Sequence, residues 1–273
     1  MLAILFPHIS PIIFQVGFIK IHWYAVAYLV GIVFGYLLLK KLNSSGRKVL
    51  SDVALDDIIM YAVLGIVLGG RLGYVFFYDF ENFLDDPKRI FFIWKGGMSF
   101  HGGTLGLIIS MFLLSKKHKF NFLQLMDMIC VVAPIGLFFG RLANFINSEL
   151  WGRTTDVAWA VVFPNGGDLP RHPSQIYEAI LEGIVLFVIM LCCFRNKKII
   201  SAPGKLAGIF LVGYSFARIF IEFYREPDYQ IGYLLEYFTM GQLLTLPMLA
   251  AGAYLILKNK FHPQKSLPHR QRF

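Results

Sequence analysis

Charged residues are scarce in this 273-residue chain: Asp, Glu, Lys and Arg together make up 16% of it, while 56% is hydrophobic. A soluble globular domain carries about 25% charged residues, so the composition argues against a soluble protein. Instead, the chain contains repeated apolar runs of about 20 residues, the length at which a helix crosses a bilayer. The composition therefore indicates a membrane protein with several spans.

Cysteine is also rare, and the three cysteines, Cys130, Cys192 and Cys193, lie inside apolar runs. This placement predicts neither a disulfide framework nor a zinc site. Basic residues outnumber acidic ones, giving a formal net charge of +9. They lie between the apolar runs rather than on one arm or face, so membrane topology explains them and nucleic-acid binding is rejected. We expect no cleaved signal peptide, because no typical leader pattern opens the chain.

Seven apolar segments predict the fold class, an all-α polytopic membrane protein with about seven transmembrane helices. The segments cover roughly residues 22–40, 56–78, 100–115, 122–142, 176–194, 205–224 and 239–257. We expect a single integral membrane domain over residues 1–273. Its largest connection on the predicted outer side, about 143–175, is rich in Gly, Pro, Asn and Asp, which favours an ordered loop.

The basic residues predict how these spans are oriented. When the connections are assigned alternately to the two sides of the membrane, one side carries 16 basic residues and the other carries 7. The more basic side is expected to be cytoplasmic. The N-terminus is then outside and the C-terminus cytoplasmic, and the basic tail over about 258–273 serves as an anchor near anionic lipid.

Polar side chains from separate spans fall in one layer near the predicted outer side. The stretch GRLANFINSELWGR, residues 140–153, ends the fourth span with several polar groups. Residues expected in this layer are Tyr24, Arg71, His101, Arg141, Asn144, Glu178 and Arg218. An arginine inside a membrane helix costs about 2.5–3.5 kcal/mol on insertion scales, so three of them are expected to face a polar cavity or a partner. Alternatively, each arginine alone snorkels to the interface or forms a structural ion pair.

A polar stripe follows the sixth span in the sequence GYSFARIFIEFYREPD. Tyr214, Arg218, Glu222 and Arg225 are spaced i, i+4, i+8 and i+11, which places them on one helix face. Arg218 and Glu222 are an i,i+4 pair that partly neutralises itself, and a net positive charge remains on the stripe. Because a guanidinium donates two parallel hydrogen bonds and stays charged when desolvated, these arginines favour an anionic phospholipid head group. A carboxylate substrate is the less specific alternative.

The stretch KGGMSFHGG, residues 95–103, places an imidazole among glycines. Gly102 and Gly103 allow the backbone to bend or to approach a ligand closely. His101 is a candidate general base near neutral pH. A lone histidine at a membrane interface is also often structural, so the residues by themselves leave both roles open.

The stretch RHPSQIYEA, residues 171–179, is predicted to be a loop that leads into the fifth span. Pro173 suits a helix start and Ser174 is a plausible cap. Gln175 and Glu178 either face the cavity or cap this helix. Glycines spaced four apart, Gly31 and Gly35 in the first span and Gly65, Gly69 and Gly73 in the second, predict close helix packing.

Together, these motifs resemble the bacterial prolipoprotein diacylglyceryl transferases over nearly the whole chain. The residues that match the family signature are Gly140, Arg141, Asn144, Phe145, Asn147, Glu149 and Gly152, supported by HGG at 101–103, HPSQIYE at 172–178 and the stripe of the sixth span. The segment IHWYAVAY, residues 21–28, differs from the family, which often has an arginine before WYG, but it retains Tyr24.

The resemblance implies transfer of the diacylglyceryl group from phosphatidylglycerol to the lipobox cysteine of an exported prolipoprotein, forming a thioether and releasing glycerol phosphate. Neither a cofactor nor a metal is expected. The implied partners are phosphatidylglycerol, the prolipoprotein signal peptide and membrane lipid. The implied location is the bacterial cytoplasmic (inner) membrane, with the active site toward the outer side.

The resemblance also implies a set of site residues. His101 is expected to be the base or a proton relay, and Arg141 and Arg218 are expected to bind the phosphate. The substrate-binding residues are expected to be Tyr24, Arg71, Asn144, Glu149, Gly152, Tyr214, Glu222 and Arg225. For Glu222 and Arg225, an alternative role is to hold the sixth helix in place.

Two other classes of function fit some of these residues. A transporter would use intramembrane Arg and Glu along an anion or proton path, but its site is usually near the midplane and not in an outer layer. A non-catalytic lipid-binding or assembly protein would bind the same lipid without forming a product. Uptake into sealed vesicles and a product assay distinguish these classes from a transferase.

Overall fold

The computed structural model describes residues 3–7, 9–17, 19–45, 48–227, 233–234 and 238–261. They form two compact units, a first unit of Met1–Leu39 with Asp127–Phe273 and a second unit of Lys40–Met126. The boundaries between the units fall within helices. Of the predicted basic tail over 258–273, residues 262–273 lie outside the described residues.

Helices account for most of the described chain. They are α1 Trp23–Ser45, α2 Asp52–Tyr78, α3 Phe80–Asp85, α4 Phe100–His118, α5 Phe122–Ile146, α6 Ser174–Arg195, α7 Lys197–Ile200, α8 Lys205–Glu222 and α9 Met240–Phe261. Within α6, residues Ala179–Val185 form π-helical turns. Short 3₁₀ turns cover Pro87–Phe91 and Ile93–Lys95.

Short strands pair two by two. Strand β1 (Ile4–Leu5) runs parallel to β4 (Val161–Val162). Strands β2 (Ile12–Val16) and β3 (Ile19–His22) are antiparallel, as are β5 (Tyr233–Leu234) and β6 (Phe238–Thr239). The β1–β4 pair lies beside an apolar cluster of Phe6, Val161 and Phe163, with Phe145 and Trp151 packed against it. The segment between α5 and α6 therefore shares a small apolar core with the N-terminal strand and the end of α5.

Five of the described helices are long and apolar enough to cross a membrane, which confirms the prediction of a mostly helical membrane protein. They are Trp23–Ser45, Asp52–Tyr78, Phe122–Ile146, Ser174–Arg195 and Gly241–Lys258. Helices α4 and α8 occupy the third and sixth predicted spans, but they are not among these five. Both carry more polar residues, including the stripe on α8. The number of seven spans and the orientation stay predictions.

In the first unit, small residues bring helix backbones together. A Cβ added to Gly31 on α1 would lie 3.2 Å from the Cα of Gly136 on α5. On α8 and α9, a Cβ added to Gly208 would lie 2.8 Å from the carbonyl oxygen of Gly252. Small residues at such crossings are typical of membrane helices, whose association depends on close packing. The packing role predicted for Gly31 is confirmed.

Asp127 on α5 caps the start of α8. Its carboxylate accepts hydrogen bonds from the backbone N–H groups of Gly204, at 2.7 Å, and Ala207, at 2.8 Å, and its side chain is buried. The first N–H groups of a helix have no partner within the helix, so an acceptor from a neighbouring helix satisfies them. This cap fixes the start of α8 and hence the position of its polar stripe.

Replacement of Asp127 by alanine is expected to lower the free energy of unfolding by about 2 kcal/mol, because the cap is lost and buried N–H groups are left without an acceptor. Asn is the matched control, since it keeps one side-chain oxygen as an acceptor. Thermal unfolding in detergent measures both variants. Equal midpoints for Asp127→Ala and the wild-type chain would contradict the capping role.

In the second unit, α2 and α4 pack through facing glycines. A Cβ added to Gly65 would lie 2.6 Å from the carbonyl oxygen of Gly106, and one added to Gly73 would lie 2.8 Å from the Cα of Gly102. Gly69 makes an equally close approach to Gly102 and Gly106. The predicted packing role of the glycines in the second span is confirmed. Gly102 of the HGG motif also serves this helix contact.

Candidate functional site

The first unit contains a buried cluster of six charged side chains, which we call the arginine–glutamate centre. Its members are Arg141 from α5, Glu178 and Glu182 from α6, Arg218 and Glu222 from α8, and Arg225 just after α8. Glu178 and Glu182 are completely buried. Burial of an unpaired charge is costly, so each of these groups depends on its partners for stability.

Arg141 joins α5 to both acidic residues of α6. Its Nε and Nη2 donate to Oε2 of Glu182 at 3.2 and 3.1 Å. Its Nη1 lies 3.2 Å from Oε2 of Glu178. The fork therefore holds two carboxylates at once with all three of its nitrogen atoms, which a lysine ammonium could not do in this geometry.

Arg218 and Arg225 complete the centre. Arg218 Nη1 donates to Oε1 of Glu178 at 2.6 Å, and its Nη2 lies 3.0 Å from Oε2 of Glu222. Arg225 Nη1 donates to the same Oε1 of Glu178 at 3.1 Å. Glu178 thus contacts all three arginines and connects the polar end of α5 to the stripe on α8.

The local sequence explains how these side chains meet. Glu178 and Glu182 lie one helical turn apart, as do Arg218 and Glu222, so each pair faces the same direction. Gly183 leaves room for α5: a Cβ added there would lie 2.7 Å from Cβ of Phe138 and 3.0 Å from its Cα. Phe138 is close to Arg141 along α5. The π-helical turns of Ala179–Val185 contain Glu182, and such turns in helices are frequent at functional sites.

The net positive charge predicted for the stripe on α8 is offset by acidic side chains of α6. Three arginines face three glutamates, so the centre is formally neutral when all six are ionised. Glu178 pairs with the arginines of the centre, so it does more than cap its helix, which was the alternative role left open for it. Glu182 was missed, although a second acid four residues further along an apolar helix was a usable signal.

The end of α5 carries a second polar group, a triad of Tyr24, Asn144 and Glu149. The Tyr24 hydroxyl donates to Glu149 Oε1 and accepts from Asn144 Nδ2. Asn144 Nδ2 also lies 2.8 Å from Glu149 Oε1. Gln175 donates to the Glu149 carbonyl at 2.7 Å. Three residues that were predicted for the site from separate positions therefore share one hydrogen-bonded group.

The turn that carries Glu149 has an unusual backbone. Ser148 and Leu150, on either side of Glu149, have φ angles of 53° and 56°. Non-glycine residues seldom adopt this left-handed region, and such strain is concentrated at functional sites. The turn aims Glu149 back toward Asn144 and Tyr24.

Gly152 joins this loop to the end of α8. Its N–H donates to the carbonyl of His172 at 2.9 Å, and it forms an antiparallel bridge with Arg225. A Cβ at this position would lie 2.5 Å from the carbonyl oxygen of Tyr224 and 2.7 Å from Cβ of His172. Only a residue without a side chain allows this approach, which explains the glycine.

Aromatic residues cluster between this loop and the start of α6. His172 Nδ1 lies 3.1 Å from the Tyr177 hydroxyl, which accepts from Trp159 Nε1 at 2.7 Å. Burial lowers the pKa of His172 below its usual value, which favours the neutral imidazole. Arg171 was not predicted for the site, and its guanidinium lies 4.1 Å from the centroid of the Trp151 ring.

Two predicted site residues, Arg71 and His101, belong to the second unit. The buried guanidinium of Arg71 donates to the backbone carbonyls of Arg89, Ile90, Gly96 and Gly97. Gly96 and Gly97 have positive φ angles of 82° and 81°, which suit glycine. The contacts of Arg71 therefore hold the segment that precedes α4.

His101 lies in the first turn of α4 and is exposed. Ser99 caps this helix by accepting from the N–H of Gly102 at 3.2 Å, and the imidazole meets the Phe100 ring edge-on at 5.7 Å. Within its own unit the imidazole is therefore accessible. Tyr214, on the α8 stripe, is buried in the first unit and interacts electrostatically with Glu182 and Arg141.

The described residues contain no group of three or more His, Cys, Asp and Glu side chains arranged to hold a metal ion. The polar groups of the first unit instead present guanidinium forks, carboxylates, an amide and a phenol. Guanidinium forks suit phosphate or carboxylate groups.

Comparisons with known proteins all identify the same family. The family model for prolipoprotein diacylglyceryl transferase matches residues 11–258. The chain is 48% identical over 267 residues to the phosphatidylglycerol–prolipoprotein diacylglyceryl transferase of Rhizobium leguminosarum, covering 94% of this chain and 95% of the relative. It is 50% identical over 252 residues to the enzyme of the same name from Rhodospirillum rubrum, covering 92% of each chain.

Proposed function

The chain belongs to the prolipoprotein diacylglyceryl transferase family, and we propose that it transfers the diacylglyceryl group of phosphatidylglycerol to the lipobox cysteine of prolipoproteins. The sulfur–carbon bond of a thioether forms, the carbon–oxygen bond to phosphate breaks, and glycerol phosphate leaves. The observation that carries this function is the extent of the similarity, 48% identity over 94% of the chain. The buried guanidinium forks supply the matching chemistry for a phosphate.

The topology that we propose for this enzyme has seven spans, with the N-terminus outside and the C-terminus cytoplasmic. The membrane is the bacterial cytoplasmic membrane, and the two compact units belong to one integral membrane domain. In this topology α5 and α8 both run outward, so the arginine–glutamate centre is near the outer side. Lipid and an exported precursor both have access to that side.

Arg141 and Arg218 are the proposed phosphate ligands. Each guanidinium has five N–H donors in a fixed fork, more than its described contacts use. Donors aimed at the phosphate stabilise the negative charge that develops as the carbon–oxygen bond breaks. Glu178, Glu182 and Glu222 are positioning residues that hold these forks before the lipid arrives, with Arg225 fixing Glu178 and the end of α8.

The remaining site residues have supporting roles in this proposal. Tyr24, Asn144 and Glu149 orient the lipid head group or the neighbouring arginine, and Gly152 sets the position of their loop. Tyr214 contributes to the polar wall beside Arg141.

His101 is the proposed base that removes the thiol proton, since a thiol of pKa about 8.5 is mostly protonated at neutral pH. Arg71 supports His101 indirectly, by holding the segment before α4.

The test is a mass assay with purified protein, phosphatidylglycerol and a lipobox peptide. We expect the peptide to gain the mass of one diacylglyceryl group, and we expect no gain for a control peptide in which alanine replaces the cysteine. If the folded, lipid-binding protein yields no product, the transferase function is contradicted. Uptake of an anion into sealed vesicles would then favour the transport alternative.

A further inference from the structure

An apolar groove of about 260 Å³ lies between α6 and α8 of the first unit. Helix α6 lines it with Leu181, Val185, Leu186 and Ile189. Helix α8 lines it with Gly213, Ala217 and Phe220. An apolar cavity of about 150 Å³ is enough to bind benzene, so this groove has room for a hydrocarbon segment.

At one end, the residues that line the groove are sequence neighbours of the charged centre. Leu181 directly precedes Glu182 on α6, and Ala217 directly precedes Arg218 on α8. On α8, Gly213, Ala217 and Phe220 form one stripe, next to the stripe that carries Tyr214 and Arg218. A molecule whose polar head is bound by the centre therefore has this apolar groove close to its head.

The groove extends along α6 away from the centre. From Glu182 to Ile189 the helix rises by about 10 Å, at about 1.5 Å per residue. Helix α6 is long and apolar enough to span a membrane. We therefore expect a groove on its surface to hold an apolar group. Gly213 keeps the groove open, since a Cβ there would lie 2.8 Å from Cδ1 of Leu186.

We infer that this groove holds one acyl chain of the phosphatidylglycerol whose phosphate is bound by Arg141 and Arg218, and that Ile189 limits the length of that chain. The inference rests on the proposed function. A lipid has one charged end and a hydrocarbon chain attached close to it, which matches a charged centre with an apolar groove leading from it. In the proposed topology α6 runs inward from the outer side, so the chain follows the direction of the bilayer lipid.

The test is a competition between dipalmitoyl and dioctanoyl phosphatidylglycerol in one detergent solution with the full-length enzyme and a lipobox peptide. The ratio of the two lipidated products gives the ratio of kcat/KM for the two lipids. Ile189→Phe fills the far end of the groove and displaces methylene groups of the long chain. We expect the ratio of long-chain to short-chain product to fall about tenfold, the effect of about two buried methylenes.

Val188→Phe is the matched control, because Val188 is the adjacent residue and is also exposed, at 53% against 42% for Ile189, but it does not line the groove. We expect it to leave the product ratio unchanged. Ala217→Leu fills the groove from α8 and gives an independent second variant, for which we also expect a lower ratio.

Three results would overturn the acyl-chain assignment while leaving the transferase intact. They are an unchanged ratio in both Ile189→Phe and Ala217→Leu, an equal change in Val188→Phe, and an equal loss of both products. An unchanged ratio with an altered oligomeric mass would assign the groove to a second copy of the chain. If the wild-type enzyme forms neither product, the proposed function itself fails, which is a distinguishable outcome.

Discussion

Replacement of Arg141 by alanine is expected to lower diacylglyceryl transfer by about 10²–10³-fold, the effect of removing a donor that stabilises transition-state charge. Arg141 is the member of the centre that contacts Glu178 and Glu182 through three nitrogen atoms. Arg141→Lys keeps the positive charge but loses the planar fork, so we expect it to remain strongly impaired. Initial rates in the mass assay measure both variants. Near-normal turnover in Arg141→Ala would remove the argument for phosphate binding.

A structural effect of this substitution is separable from a catalytic one. Removing one partner of a buried ion pair costs about 3–5 kcal/mol, whereas replacing both partners with apolar residues is often neutral. We therefore expect Arg141→Ala to unfold at a lower temperature, and the double variant Arg141→Met with Glu182→Met to recover most of that loss. Turnover should stay low in the double variant. Recovery of turnover together with stability would show that Arg141 acts through folding alone.

Much of the arginine–glutamate centre was predictable from spacing within single helices. Tyr214, Arg218 and Glu222 share a face because of the helical period, and the polar end of α5 places Arg141 beyond an apolar run. Their partners on α6 were harder to predict, because the pairing of side chains on different helices depends on how the helices pack. Gly183 allows the close approach of α6 to α5 that brings Glu182 to Arg141. That approach has no periodic signal in the sequence.

Segments outside the helices explain the remaining differences. Arg71 was predicted for a polar cavity, but its donors go to carbonyls of residues 89–97, whose backbone path depends on glycines with positive φ. The left-handed conformations of Ser148 and Leu150 also carry no sequence signal, since neither residue favours them. Helices α4 and α8 match predicted spans in position, but the basic last turn of α4 and the charged stripe of α8 lower the apolar content by which a span is recognised.

Replacement of Gly152 by alanine is expected to lower transfer by about 10²-fold, although no functional group is removed, because a displacement of about 1 Å in a site has an effect of this size. A Cβ at Gly152 would lie 2.5 Å from the carbonyl oxygen of Tyr224 and 2.8 Å from that of His172. Backbone atoms on both sides cannot rotate away, so the segment containing Gly152 must move away from Arg225. The movement is transmitted to Arg225, which contacts Glu178, and to the turn that carries Glu149.

Gly140→Ala is the matched control for this prediction. Gly140 belongs to the same sequence motif, but a Cβ added there meets no described atom within 4 Å, and it lies inside α5, where alanine is favoured over glycine by about 1 kcal/mol. We expect Gly140→Ala to keep its turnover and its thermal stability. If Gly152→Ala also keeps its turnover, the bridge to Arg225 is not needed to align the site. If Gly140→Ala loses as much as Gly152→Ala, the effect comes from the glycines of the motif in general and not from the close approach at Gly152.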